Sequence, residues 1–254
     1  MTKNFTSPLA VDFDGLRIPA GTYALPSRAD VSHLGTDTAD RFSAHFAGRL
    51  PVSSLTAAEV TFLQEHFLEQ HEARVQAATV YFDEHVPRRY KGVMPDAQAT
   101  DWAGQFARDP HAVQSLLVLG PTGSGKTHLA YSVLAAVAGA GAFARWEAVT
   151  EADMFARLRP RHGHDTEAAF EALATCPLLL LDDLGAAKLS EWTEEITYRL
   201  VNLRYNHCLP SLVTSNVLPR HFTERFGDRV TSRLIEMCDR ISLKNDDLRR
   251  EGQA

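Results

Sequence analysis

The chain has 254 residues, 44% of them hydrophobic and 23% charged, which is enough for one or two domains with a real core. Its formal net charge is -6, from 26 basic and 32 acidic residues, so contact with nucleic acid must come from local basic patches and a whole-surface DNA binder is disfavoured. Cys176, Cys208 and Cys238 fit no zinc spacing and leave an odd count, and neither a membrane-spanning run nor a leader-like segment is visible, so a cytoplasmic protein in a reducing compartment is expected.

In chain order, "VDFDGLRIPAGTYALP" reads as short strands around Gly15 and Gly21. From Thr56 the pattern changes. Thr56 and Glu59 form a capping-box signature, and Val60, Leu63, Phe67, Arg74, Val75, Ala78 and Phe82 follow at helical spacing. A long helix to about Asp83 is expected, with one break allowed. The prolines and glycine of "HVPRRYKGVMPD" then mark a boundary between an N-terminal region, 1–85, and a core, 86–254. Beyond it "SLLVLG", "AFARWEAV", "PLLLLDD" and "PSLVTSN" read as strands, with helices over "KTHLAYSVLAAVAGAG" and "EWTEEITYRLVNLRYN". Short apolar strands alternating with helices predict an α/β fold whose parallel sheet is covered on both faces.

The strongest chemical signal is "GPTGSGKT", Gly120 to Thr127, which matches G-x-x-x-x-G-K-[ST] directly after a strand and directly before a helix. Glycines let backbone N–H groups close around phosphate oxygens, and the following helix aims its positive end at the same place. The expected nucleotide contacts are Gly120, Pro121, Thr122, Gly123, Ser124, Gly125, Lys126, Thr127 and His128. Lys126 is suited to the terminal phosphates of ATP and the Thr127 hydroxyl to Mg2+.

A phosphate loop needs a second metal-side acid at the end of a neighbouring strand, and "LLLLDD" supplies it. Four leucines suit a strand buried on both faces, with an aspartate where open parallel sheets bind ligands. Asp182 is the expected metal-side residue, acting through a bound water. Asp183 is expected to polarise the attacking water, the alternative being a plain turn cap. Asn216, at the end of "PSLVTSN", can hold that water or the terminal phosphate, the alternative being a loop asparagine. Trp192, Ile196, Leu200 and Leu203 form one core-facing helical face. In "GDRVTSRLIEMC" Arg229 and Arg233 lie one turn apart above a stripe of Val230, Leu234 and Met237, which is either a solvated face or a functional pair.

"GPTGSGKTHLA", "LLLLDDLGAAK", "RYNHCLPSLVTSN" and "GDRVTSRL...NDDLR" together resemble the AAA+ ATPases of the DnaC/DnaI/IstB type, which are bacterial and phage replicative helicase loaders and helper ATPases of transposons. The resemblance covers roughly residues 86–250. It implies an AAA+ P-loop core with a parallel sheet flanked by helices, preceded by a smaller, mainly helical N-terminal region; the chain ends soon after Arg250, so no C-terminal lid domain is expected. Asp182 and Asp183 would be the Walker B acids and Asn216 the first sensor. Arg233 would be the finger that reaches the nucleotide of a neighbouring subunit, making a homo-oligomer part of the mechanism, and Arg249 the arginine that senses phosphate in cis. Arg229 would be a second basic position near that interface.

Two further segments point to partners. "FARLRPRHGH" carries Arg157, Arg159, Arg161 and His162 without an acid, and in the resembled family this region lines a groove for single-stranded DNA. A solvated loop is the alternative. "PRRYKG" matches the segment that packs near the adenine, a basic linker being its alternative. The resemblance implies an ATP-dependent loader of the replicative DNA helicase, with the helicase contact in 1–85. A transposition helper ATPase, a small-molecule phosphotransferase and an ATP-binding switch with little hydrolysis remain open at this level.

Overall fold

Local signals set most element boundaries in the computed structural model, which describes residues 4–7, 11–13, 16–18, 21–142, 145–161, 163 and 165–244. Four short strands come first: β1 (Asn4–Ser7), β2 (Val11–Phe13), β3 (Leu16–Ile18) and β4 (Gly21–Ala24). They pair as two antiparallel ribbons, β2 with β3 and β1 with β4. Helix α1 (Thr38–Phe46) follows, and then α2 (Ala57–His85).

The capping box forms as the sequence predicts. Thr56 N–H donates to Glu59 Oε2 at 2.7 Å and Glu59 N–H to Thr56 Oγ1 at 3.3 Å. The helix then runs for 29 residues with no break, because its sequence contains neither proline nor glycine and its two halves are buried in different places. Leu63 and Phe67 join Tyr23, Phe42 and Leu55 in an N-terminal hydrophobic cluster, whereas Ala78 and Phe82 belong to the core beneath the main sheet. Between the halves, Gln70 accepts from Ala24 N–H and donates to Ala24 O, each at 3.0 Å, which ties β4 to the middle of α2.

After Pro87 the chain makes one 3-10 turn, Arg88–Tyr90, and enters α3 (Ala97–Arg108), a helix the sequence patterning did not signal. Asp96 caps it by accepting from Ala99 N–H at 2.8 Å, and Trp102 and Phe106 bury its inner face. The core then follows as β5 (Ser115–Leu119), α4 (Lys126–Gly139), β6 (Trp146–Thr150), α5 (Glu151–Leu158), α6 (Thr166–Thr175), β7 (Leu178–Asp182), α7 (Glu191–Asn206), β8 (Ser211–Ser215), α8 (Phe222–Met237) and β9 (Cys238–Ser242).

Five of these strands form one parallel sheet in the order β6-β7-β8-β5-β9. Successive side chains point to opposite faces, so a strand covered on both sides must be apolar throughout. Leu178 and Leu180 face the layer of α2, α3 and α4, while Leu179 and Leu181 face the layer of α5 to α8. The expected parallel sheet flanked by helices is therefore present. Edge strand β9 escaped the sequence reading because "CDRIS" pairs with β5 alone and stays largely exposed. Among the described residues no helix is long and apolar enough to cross a membrane.

The α7 face is as expected at Ile196 and Leu200, which are buried, with Trp192 and Leu203 packed partly at its margins. The same helix also buries an arginine. Arg204 is 1% exposed and meets no carboxylate among the described residues; it donates to Ser211 Oγ (2.8 Å) and to the carbonyls of Leu173 (3.2 Å), Ala174 (3.2 Å), Cys176 (2.9 Å) and Pro210 (2.6 Å). Its guanidinium thus caps the C-terminal end of α6 from a neighbouring helix and joins it to the start of β8. Burial pulls its pKa below the usual arginine value.

Candidate nucleotide site

The loop between β5 and α4 has the backbone that cradling an anion requires. Gly123 and Gly125 both lie at φ 89, in the left-handed region, and Gly125 is the N-cap residue of α4. Gly120 is needed for space: a Cβ there would stand 2.6 Å from Ser124 Oγ and 2.9 Å from the Leu243 carbonyl that follows β9. Ser124 Oγ is buried without a hydrogen-bond partner, and the buried Lys126 donates from Nζ to Pro121 O at 3.0 Å.

Thr127 is the first link of a hydrogen-bonded chain across three elements. Its hydroxyl donates to Asp182 Oδ1 and Oδ2 at 3.0 and 3.1 Å. Thr214 Oγ1, from β8, donates to Asp182 Oδ1 at 2.6 Å and accepts from Asp183 N–H at 2.9 Å. Burial pushes the Asp182 carboxyl above its ordinary range, helped by the Asp183 charge and opposed by the Thr214 and Thr127 hydrogen bonds and by Lys126. Asp183 itself sits at φ 54, an unusual conformation for a residue with a side chain, and leaves its carboxylate exposed.

One cavity of about 580 Å³, a size suited to a nucleotide, opens beside these residues, and Gly120, Pro121, Ser124, Asp182 and Thr214 are not among those lining it. Thr122, Gly123, Gly125, Lys126, Thr127 and His128 form one wall, and Asp183 and Asn216 line it from the ends of β7 and β8. Arg89 and Tyr90 close another side, with Tyr90 stacked on Tyr131 at 4.5 Å between ring centroids. Burial lifts the Tyr131 hydroxyl to about 12. Thr127 and Asp182 offer hard oxygen donors side by side, which is the donor chemistry magnesium takes. Thr214 was missed in the sequence reading; its only signal is its place two residues before Asn216.

The arginines lie elsewhere. Helix α8 is interrupted at Gly227 (φ 72, ψ 163), and Arg229 and Arg233 follow the break. Neither lines the cavity. Arg233 donates from Nη1 to Arg229 O at 3.1 Å, and its guanidinium lies 5.4 Å from the Tyr198 ring and 5.5 Å from the Tyr205 ring. Arg249 falls outside the described residues, as does His162. Of the three exposed arginines considered for DNA, Arg157 pairs with Glu147 at 3.2 Å, Arg159 lies 5.9 Å from the Trp192 ring, and Arg161 donates to Ala156 O at 2.7 Å. Only Arg157 is on a helix, and Phe155 beside it is buried.

Comparison with known proteins points the same way. Over 132 residues the chain is 30% identical to the ATP-binding protein of insertion sequence IS5376 from Geobacillus stearothermophilus, covering 50% of this chain and 49% of that protein. It is 25% identical over 141 residues to the ATP-binding protein of insertion sequence IS21 from Pseudomonas aeruginosa, so it spans about half the length of the curated relatives it matches. Among solved structures, the DnaC helicase loader superposes with a TM-score of 0.52 at 26% identity, covering 62% of this chain and all of that one. DnaI superposes with a TM-score of 0.54 at 20% identity over 63% of this chain and 95% of that one, a likeness of fold. Residues 105–254, more than half of the chain and including the whole phosphate loop and both aspartates, match the family model, so the chain belongs to the IstB-like ATP-binding proteins.

Proposed function

We propose that this chain is an ATPase whose hydrolysis is completed at a contact between copies, and that it loads the replicative DNA helicase in the cytoplasm. The observation that carries the ATPase reading is the run Thr127, Asp182, Thr214, Asp183, which links the phosphate loop to both acids through hydrogen bonds of 2.6 to 3.1 Å. Lys126 and the loop N–H groups bind the phosphates, and Thr127 and Asp182 hold Mg2+, with Asp182 acting through water. Bound magnesium supplies charge neutralisation at the terminal phosphates. Asp183 orients and polarises the attacking water from the other side of the cavity, with Asn216 next to it. Arg233 is provided to a neighbouring copy, and Arg249 acts in cis. Arg157, Arg159 and Arg161 contact single-stranded DNA, and residues 1–85 form the partner-binding region ahead of an ATPase core, 86–254.

The two aspartates have separable roles. Asp182→Asn is expected to weaken magnesium-dependent nucleotide binding, whereas Asp183→Asn should bind ATP normally and lose about 10² or more in turnover. Equilibrium binding of a fluorescent ATP analogue beside steady-state hydrolysis checks this, and equal loss of binding in both variants would end the division of labour.

The resemblance to helicase loaders, with the DnaC likeness extending over that whole chain, supports the loader role. The insertion-sequence relatives support a second reading, a helper ATPase that acts on target DNA in transposition. Co-purification with the replicative helicase and with the transposase of the same genome, followed by ATP turnover with each and with single-stranded DNA, separates them. A complex with the helicase and stimulation by it are expected; a complex with the transposase alone would overturn the loader reading.

A further inference from the structure

The turn that follows β7 is held from outside the nucleotide cavity. Asp183 begins it in the left-handed region, and a non-glycine residue stays there only where its surroundings over-determine the backbone. The inner part of the turn is fixed to β8: Leu184 N–H donates to Thr214 O at 2.8 Å and Ser215 Oγ to Leu184 O at 2.6 Å. The outer part is fixed by one carboxylate and one guanidinium. Gly185 and Ala187 donate their N–H groups to Glu151 Oε2, at 3.1 and 2.8 Å. Their carbonyls accept from Arg225, Gly185 O from Nε at 3.1 Å and Ala187 O from Nη2.

The two side chains therefore take all four backbone polar groups of these two residues. They also face each other, with Arg225 Nη2 4.0 Å from Glu151 Oε2. Glu151 is 3% exposed and opens α5 immediately after Thr150, whose strand register places it beside Asp182. A carboxylate buried this deeply is costly unless its charge is matched; here burial holds the Glu151 carboxyl above its ordinary range, and the peptide N–H groups and Arg225 offset part of that cost. Space is equally constrained: a Cβ on Gly185 would come within 2.5 Å of Val217 Cγ2 and 3.1 Å of Phe226 Cζ. Neither Glu151 nor Arg225 lines the nucleotide cavity.

Arg225 also sits two residues before the break at Gly227, on the same helix that carries Arg229 and Arg233 beyond it. We propose that Glu151 and Arg225 are positioning residues: together they clamp the 185–187 segment so that Asp183 keeps its left-handed backbone, and through Arg225 they join that turn to the first half of α8, ahead of the Gly227 break. The inference rests on the water-polarising role proposed for Asp183.

Two conservative substitutions test it. Glu151→Gln keeps an acceptor oxygen and the volume but removes the charge, and Arg225→Lys keeps the charge but removes the fork that reaches both carbonyls. In each variant the Gly185 and Ala187 amides are expected to exchange hydrogen about tenfold faster. ATP turnover should fall about tenfold or more through misplacement of Asp183. The dissociation constant of a fluorescent ATP analogue should change by less than about threefold, because the turn contributes only Asp183 and Ala186 to the cavity wall while the phosphate loop supplies most of the lining. Glu151→Gln should also speed exchange over residues 222–226, the segment that carries Arg225. Unchanged exchange at Gly185 and Ala187, or affinity and turnover falling in parallel, would overturn the clamp. If the wild type hydrolysed no ATP with any partner, the functional reading would fail while the exchange measurement still decided whether the turn is clamped.

Discussion

Arg233→Ala is expected to lower assembly-dependent ATP turnover by about 10³-fold, with ATP affinity and folding nearly unchanged. In this chain Arg233 lines no part of its own nucleotide cavity, so losing its guanidinium cannot disturb ATP binding directly. Its contacts among the described residues are one hydrogen bond within its own helix and the faces of Tyr198 and Tyr205, which together stabilise the fold by about 1 kcal/mol at a partly exposed site. The large effect is expected only where the arginine meets the developing charge of another copy's transition state. Mixing provides the decisive measurement. Arg233→Ala retains an intact phosphate loop, and Lys126→Ala retains an intact arginine, so two inert variants should regain turnover when combined. A mixture that stays inert would place the arginine in cis or outside the reaction.

Arg204→Leu is expected to destabilise the fold by about 3 to 5 kcal/mol, which makes it the most damaging single change proposed for the core. Leucine approximates the stem but leaves the carbonyls of Leu173, Ala174, Cys176 and Pro210 without this donor, beneath a side chain that is itself buried. Arg204→Lys should recover little, because an ammonium cannot span acceptors on both sides of a planar fork. For a protein of this size the loss corresponds to a fall in Tm of about 10 °C, with the denaturant slope unchanged. Urea unfolding of the two variants checks it, and a loss below about 1 kcal/mol would show that the guanidinium only breaks even against its own desolvation.

The parts of the site that were legible in the sequence are those whose chemistry is local. "GPTGSGKT" carries its backbone requirements in consecutive residues, and four leucines before Asp182 announce a strand covered on both faces. Thr214 was illegible for the opposite reason. It touches both aspartates only because β8 lies between the phosphate-loop strand and the acid-bearing strand, and sheet order is not written in any one segment. Glu151 and Arg225 were passed over because they act on main-chain groups distant in sequence, which leaves no residue pattern to find. Arg204 looked like one more polar position on an amphipathic helix, since nothing nearby records that α6 ends against it. Helix α2 was read with a possible break because its apolar stripe changes neighbours halfway, and the structure shows one continuous helix serving two cores.

That continuity makes α2 a lever arm. At 29 residues it is about 43 Å long. One end is bedded against α4, the helix that rises directly from the phosphate loop, while the other carries the N-terminal cluster. A rod bedded as far back as His71, which lies against Gly141 after α4, turns tilt into stroke: a rotation of about 10° of the bedded part sweeps Ala57 through about 4 Å, given the helical rise. Tilt of α2 on the phosphate-loop layer is therefore carried rigidly into the N-terminal cluster, with no break in the helix to absorb it.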